Sequence, residues 1–518
     1  MKLARIGTAL SAEKNLDRLF EMIVDEAREF TNADGGTLYI MTDDETALRF
    51  AIVQTSSLNI RMGGTSGEIT WHPINLKNPD GTPNHANVCA HVALSEETVN
   101  IADVYHAEGF NFEGTRKFDA GTGYRSKSML VVPMRNHEND IIGVLQLLNA
   151  QDRVTGEVIP FSIECQRLTE SLASQAAVAL TNNRLIQALE NLFEAFIRSI
   201  ATAIDEKSPY TGGHVRRVAE LTMTIAARIN DAKDGPYANV SFTDDEMKEL
   251  RIAAWMHDVG KITTPEYVVD KATKLETIFD RIEVIKTRFE VLKRESKIKS
   301  LKEKASWKKD LQFEAIRDSY KNKIKSLKDD FNFLASLNKG KDYLDDDRIK
   351  RLQAIARKKL VVDGKVQPLL TEDEIHNLLI RRGTLTDEER EIIKNHAAIT
   401  FKMLSQLPFP KKLKNVPLYA GAHHERLDGS GYPLGLKGDQ LPLQARIIAL
   451  ADVFEALTAK DRPYKKGKTL SEAMKILKSM AKDNHIDPDL FDLFVKEGIY
   501  MDYAKKELSP QQIDEVKS

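Results

Sequence analysis

Gly421-Ala422-His423-His424-Glu425-Arg426-Leu427-Asp428-Gly429-Ser430-Gly431-Tyr432-Pro433 is the stretch on which the reading of this 518-residue chain turns. It opens with two adjacent histidines and a glutamate and closes on a Gly-Tyr-Pro turn. Imidazole nitrogens bind first-row transition metals well, and adjacent histidines at the end of an apolar helical run (Leu418, Ala420) can each reach a different ion. Taken alone, the pair would read as surface histidines at a helix end. The rest of the chain supplies partners. His257-Asp258 follows the apolar run Ile252-Ala253-Ala254-Trp255, and Asp452 lies within Ile447-Ile448-Ala449-Leu450-Ala451-Asp452-Val453-Phe454. His214 and His396 complete a set of seven on five segments. A carboxylate can bridge two cations while neutral histidines fill their outer positions. Histidine and aspartate on apolar helices are costly to bury unless paired or metal-bound. One such residue is an ordinary core polar group, but seven are hard to explain that way.

Taken in order, the motifs are Pro209-Tyr210-Thr211-Gly212-Gly213-His214, His257-Asp258-Val259-Gly260-Lys261 and Lys394-Asn395-His396. His423-His424-Glu425, Asp428 to Pro433, Ala451-Asp452 to Thr458 and Asp461-Arg462-Pro463-Tyr464 follow. Residues from about 200 to 500 thus resemble the HD-GYP family, a subgroup of the HD phosphohydrolases. The resemblance implies a helical domain that hydrolyses cyclic di-GMP to the linear dinucleotide pGpG, to GMP, or to both. It implies two divalent transition-metal ions, iron or manganese, with three as the alternative. Some members carry an extra carboxylate for a third ion one turn before the first histidine; Tyr210 stands there. His214, His257, Asp258, His396, His423, His424 and Asp452 are assigned as metal ligands, with Asp258 bridging. Asp258 and Lys261 are the catalytic candidates. Lys261, three residues on and on the same face if the helix continues, can hold a phosphate oxygen or protonate the leaving group. Arg462 and Lys465 resemble family residues that contact substrate phosphates, where arginine's planar fork is suited. Tyr432 offers a rigid wall to the substrate, and Glu425 is expected to orient a neighbouring histidine.

Composition sets bounds. Net charge is −2 with 42% hydrophobic and 29% charged residues, so no global basic field attracts a nucleic-acid polymer. Two cysteines, Cys89 and Cys165, give no disulfide framework and suit a reducing cytosol. No apolar run approaches the roughly 20 residues that span a bilayer, and the N-terminus lacks the apolar core of a signal peptide.

Residues 1–162 read as an α/β domain. Leu16, Leu19, Phe20, Ile23 and Ala27 share a helical face, and strand-like runs follow at 36–41, 48–54, 128–134 and 141–148, the last two joined as a hairpin by the polar turn 136–140. Gly123 to Met134 and Ile142 to Asn149 resemble a GAF domain, which implies an antiparallel sheet with flanking helices. Cyclic-nucleotide-binding GAF domains carry Asn-Lys and then Phe-x-x-x-Asp. Here Asn149 precedes Ala150 and Phe161 leads to Cys165, which argues against such a ligand and leaves the GAF ligand open. Dimer contact is the alternative role. Residues 163–204 read as one helix in which Leu185, Leu189, Leu192 and Phe196 form a heptad seam, expected to pair in a homodimer. The metal domain is placed at 205–505, with an insertion at 272–383. Within it Leu275, Ile278, Ile282, Ile285, Phe289 and Leu292, then Tyr320, Ile324, Leu327, Phe331 and Leu334, suggest an antiparallel helical hairpin. Its interleaved charges read as a solvated face. Thr371/Glu374 and Thr386/Glu389 read as capping boxes. The leading expectation is a phosphodiesterase regulated by its GAF domain. An HD phosphohydrolase acting on another cyclic dinucleotide or nucleotide, and a catalytically silent signalling scaffold, are the alternatives.

Overall fold

The computed structural model describes residues 2–207, 212–306, 310–460 and 467–516. It falls into two units, 1–193 and 194–518.

In the first unit, the Asn15 side chain accepts the Arg18 amide at 3.0 Å and starts a helix over Leu16–Thr31. Its buried face is Leu19, Phe20, Ile23, Val24 and Ala27. The strands are β1 (Ala33–Met41), β2 (Ala47–Thr55), β3 (Ile60–Gly63), β4 (Ile74–Asn75), β5 (Val99–Ile101), β6 (Met129–Arg135), β7 (Ile141–Gln151) and β8 (Val158–Ile159). They form an antiparallel sheet in the order β3-β2-β1-β7-β6-β5, with β4 beside β2 and β8 beside β7. One face packs on the Leu16–Thr31 helix and on Leu172, Ala173, Ala176 and Leu180 of the long helix Ile163–Asp205. The other face is closed by Cys89, Val92, Val104 and Phe112. The expected hairpin is present, with Met129 opposite Leu148 and Arg135 opposite Ile141.

The second unit is mostly helical. His214–Asp231, Asp244–Met256, Asp387–Leu404, Val416–Gly421 and Leu443–Thr458 surround the histidine-rich segments. Both expected capping boxes form: the Thr371 and Thr386 side chains accept the Glu374 and Glu389 amides, and those glutamates accept in return. In the insertion, helices Ile282–Ser306 and Asp310–Asn338 lie side by side. Phe289 meets Phe331 at 5.7 Å, and further along Leu292 shares a cleft with Leu327, so the two arms run antiparallel.

Two expectations need correction. The seam starts at Ile282, because the Asp280 carboxylate accepts the Ile282 amide and opens the helix there. Leu275 is buried in the preceding loop, whereas Ile278 is 97% exposed. The insertion also contains a β-hairpin, 359–362 against 365–368. Its two-residue turn, Asp363-Gly364, has both residues at positive φ. Asp-Gly between apolar runs is the usual signal for this turn.

The insertion has its own core, including Leu275, Ile285, Phe289, Leu334, Leu352 and Leu378. Its two ends meet, since the Thr384 hydroxyl donates to the Lys271 carbonyl at 3.1 Å. Replacing residues 272–383 by a short Gly-Ser linker should therefore leave a soluble protein with unchanged metal stoichiometry. Insoluble or metal-free protein across several linker lengths would show that the segment belongs to the core.

Candidate metal centre

Four imidazoles are held by one device. The Nδ1 of His257 donates to the Ala254 carbonyl at 2.7 Å, that of His396 to Ile393 at 2.5 Å and that of His423 to Ala420 at 2.6 Å. A carbonyl can only accept, so each Nδ1 carries the proton and each Nε2 presents a lone pair. His214 achieves the same from a distance, its Nδ1 paired with the Glu455 carboxylate. The other Glu455 oxygen accepts Arg217 Nε at 2.7 Å.

The lone pairs converge on carboxylates. Asp258 Oδ2 lies 3.4 Å from both His214 Nε2 and His257 Nε2, while its Oδ1 lies 3.4 Å from His396 Nε2. Asp452 Oδ1 stands 3.3 Å from His214 Nε2 and 3.9 Å from His257 Nε2. His396 Nε2 faces His423 Nε2 at 3.4 Å. Two groups result that could hold a cation, His214/His257/Asp258 and His396/His423/His424. Asp258 turns one oxygen toward each.

A lone pair facing a carboxylate oxygen is repulsive unless positive charge lies between them. The Nε2 atoms of His214 and His257 are buried and have no hydrogen-bond partner among the described residues. Native cores rarely tolerate such atoms, and a divalent cation satisfies both. The charge states agree. Burial would raise the Asp258 pKa, but Lys261 and His257 hold it well below the usual carboxylate range. Burial opposes ionisation of Asp452 too, and His214 overrides it downward. Burial, then His424 and His257, hold His423 well below the ordinary imidazole value, and burial takes His424 down to about 4. At His214 burial acts downward, yet Glu455, Asp258 and Asp452 hold its pKa well above that value. The pocket draws positive charge on the Asp258/Asp452 side, where Asp258 raises the His257 pKa against burial as well, while His396, His423 and His424 are held neutral, as metal ligands must be. The donor set therefore fits divalent transition metals.

All seven sequence-derived ligand candidates meet in this pocket. Lys261 Nζ reaches Asp258 Oδ2 at 2.6 Å. The helix does not continue to it: Asp244–Met256 ends, and Val259–Thr263 is a 3-10 turn that brings the lysine back over Asp258. Tyr432 packs on the His424 ring, with centroids 5.0 Å apart. Glu425 differs from expectation. Its carboxylate accepts the amides of Leu434 at 2.5 Å, Gly435 at 3.1 Å and Leu436 at 3.0 Å, so it orients a loop rather than a histidine. The histidine-orienting carboxylate is Glu455, with Arg217 behind it. Its signal was its position three residues after Asp452, on the same helical face. Thr400 is a further support, since its hydroxyl accepts the Gly260 amide at 2.9 Å and donates to the His257 carbonyl at 3.1 Å. Tyr210, Arg462 and Lys465 lie outside the described residues.

Comparison with known proteins agrees with this architecture. The GAF domain model matches residues 15–180, and HD domain models match 211–348 and 371–490. The chain is thus a GAF domain followed by an HD domain. Over part of its length it is similar to proteins named cyclic di-GMP phosphodiesterases. A cyclic di-GMP phosphodiesterase of Thermotoga maritima is 40% identical over 119 residues, covering 23% of this chain and 32% of that protein. A 3'3'-cGAMP-specific phosphodiesterase of Vibrio cholerae is 38% identical over 140 residues, covering 27% of this chain and 32% of that protein. The chain spans about a third of the length of these relatives. Among solved structures, the GAF domain of an Acinetobacter phosphoenolpyruvate-protein phosphotransferase aligns with 36% of this chain and 94% of its own, at 15% identity and a TM-score of 0.25. No helix among the described residues is long and apolar enough to cross a membrane.

Glu455→Gln keeps the shape and removes the charge behind His214. Metal affinity should fall about 10- to 100-fold, the usual effect of losing a partner that orients a ligand. Titration of metal into apo protein measures it, with circular dichroism as the control for folding. Unchanged affinity would remove Glu455 from the site.

Proposed function

We propose that this protein is a metal-dependent phosphodiesterase that hydrolyses cyclic di-GMP, releasing the linear dinucleotide, GMP, or both. The observation that carries the reading is the buried Asp258 carboxylate with one oxygen toward each histidine group. Two ions held by His214, His257, Asp258 and Asp452 on one side, and by His396, His423, His424 and Asp258 on the other, would lower the pKa of a water and spread charge over the phosphoryl oxygens. Iron and manganese suit this mixture of imidazole and carboxylate. Lys261, fixed against Asp258, is placed to donate a proton to the departing sugar oxygen or to hold a phosphate oxygen. Arg462 and Lys465 supply further phosphate contacts, and Tyr432 is the wall beside His424. The names of the relatives support the substrate class. They also favour a second reading, since some are named for 3'3'-cGAMP, another cyclic dinucleotide.

In this reading residues 1–162 are a sensor, 163–204 a signalling helix and 205–505 the catalytic domain, with 272–383 inserted. The unpartnered seam supports a homodimer. Leu185, Leu189, Leu192 and Phe196 are all exposed, Leu189 by 67% and Phe196 by 64%. Such a row of large apolar side chains is the pattern of a helix that pairs with another copy. Packed helices have discrete arrangements, so a change in the sensor can be passed on as a shift of register.

Anaerobically purified protein should contain metal and turn over cyclic di-GMP, with 3'3'-cGAMP assayed in parallel. Asp258→Ala should reduce turnover at least about 1,000-fold and lower metal content while the circular dichroism spectrum is kept. Full metal occupancy with near-normal turnover in that variant would defeat the bridging assignment. Faster turnover of 3'3'-cGAMP by the unaltered protein would select the second reading.

Leu189→Glu combined with Phe196→Glu should convert dimer to monomer in analytical ultracentrifugation and change turnover at constant metal content. A variant that stays dimeric, or a monomer with unaltered kinetics, would reduce the helix to a tether.

A further inference from the structure

The 3-10 turn Val259–Thr263 carries Lys261 and follows directly on Asp258. Its placement therefore sets the geometry of the Lys261–Asp258 pair. From one side it is held by Thr400 and by close packing. A Cβ added at Gly260 would lie 2.0 Å from the His396 carbonyl oxygen, so the turn fits that helix only with glycine there. From the other side it is held by Lys207. Lys207 Nζ donates to the carbonyls of Ile262 at 2.6 Å, Thr264 at 2.8 Å and Lys261 at 3.2 Å. An ammonium has three protons, and three carbonyls at the end of one turn accept them. The charge is also of the sign that favours the carbonyl end of a helical turn.

Lys207 is joined to the long helix without a break. The Glu206 amide donates to the Thr202 carbonyl at 2.9 Å and the Lys207 amide to the Ile204 carbonyl at 3.2 Å, continuing the last turn of Ile163–Asp205. Within the helical unit this end of the helix is firmly seated. Ile197, Ala201 and Ile204 are buried, and Glu194 pairs with Arg251 at 2.8 Å. Two residues before Lys207, the Asp205 carboxylate accepts the Val215 amide at 3.1 Å, next to His214. One helix end thus touches the His214 helix through Asp205 and the Lys261 turn through Lys207.

We propose that Lys207 is a positioning residue: by capping the 259–264 turn it fixes Lys261 against Asp258, and through it the end of the long helix sets the alignment of the metal-binding segments. The inference rests on the proposed phosphodiesterase activity for its kinetic consequence only. Lys207 lies outside the ligand set and acts through the turn. An aliphatic replacement removes the ammonium from all three carbonyls, of which the Lys261 carbonyl keeps the Thr264 amide at 3.0 Å, and frees the turn to shift, while the ligand set stays intact.

The test compares Lys207→Met and Lys207→Arg with the unaltered full chain. Lys207→Met should lower kcat at least 10-fold with little change in KM, metal content or melting temperature. In the same protein, amide hydrogen exchange should quicken in 259–264 and not in the rest of the helical unit. Lys207→Arg, which keeps a donating cation, should restore part of the rate and of the protection. Unchanged exchange in 259–264, or exchange raised throughout the unit, overturns the proposal, as does wild-type kcat in Lys207→Met. If the unaltered protein turns over no cyclic dinucleotide, the proposed activity fails, and the exchange pattern alone decides the positioning role.

Discussion

Burial of the Asp258 carboxylate is the constraint on which the helical unit depends. An ionised carboxylate in a protein interior is held there only by charge and hydrogen-bond partners that outweigh the loss of water. Asp258 is surrounded by the Nε2 atoms of His214, His257 and His396 and by the Lys261 ammonium. These four groups come from three stretches of chain far apart in sequence. Three pieces of backbone must therefore arrive together for one charge to be tolerated. Removing a partner from such a buried arrangement costs roughly 3–5 kcal/mol. Structural and chemical demands on these residues are consequently hard to separate, and metal content read alongside turnover is what distinguishes them.

The histidines show how little machinery aims a ligand. His257, His396 and His423 each stand where the carbonyl three residues earlier is within reach of Nδ1. The helix or helix end thus chooses the tautomer of its own residue. His214 opens its helix and has no earlier turn to lean on. It borrows Glu455 from the neighbouring Leu443–Thr458 helix, and Arg217, one turn further along its own helix, balances that carboxylate. Glu455 is buried because it serves two residues of the opposite helix, which also fixes the register between Asp452 and His214.

Much of this was legible in the sequence, for identifiable reasons. The seven ligand candidates could be read because polar residues on apolar runs stand out, and the strands of the first unit because their alternation is regular. The β6–β7 hairpin followed from its polar turn. Three features were misread or missed where local pattern is silent about distant partners. Glu425 lies beside the histidines in sequence, yet it turns to the amides of Leu434, Gly435 and Leu436. Glu455 lies 241 residues from the histidine it orients. Lys207 reads as a surface charge at a helix end until the carbonyls of Lys261, Ile262 and Thr264 are found opposite it. The Asp363-Gly364 hairpin was missed for another reason, because the two heptad seams before it and the helix-starting capping boxes after it outweighed a two-residue turn signal.

The Gly-Tyr-Pro stretch gains a physical meaning from the same contacts. A Cβ on Gly431 would fall 2.4 Å from the Glu425 Cα, so the loop doubles back onto its own start only with glycine at that place. Once folded back, it is held by the Glu425 carboxylate on three successive amides and by the Tyr432 amide on the His424 carbonyl at 3.3 Å. Tyr432 is thereby pressed against the His424 imidazole. His424 is the one member of the cluster with no carbonyl or carboxylate recorded on its Nδ1 among the described residues. Its ring is set by packing instead, between His423 at 4.1 Å and Tyr432 at 5.0 Å. The loop therefore does for His424 what the helices do for its neighbours. That is a reason for the histidine pair, the glutamate, the glycines and the tyrosine to stand together in one short run of sequence.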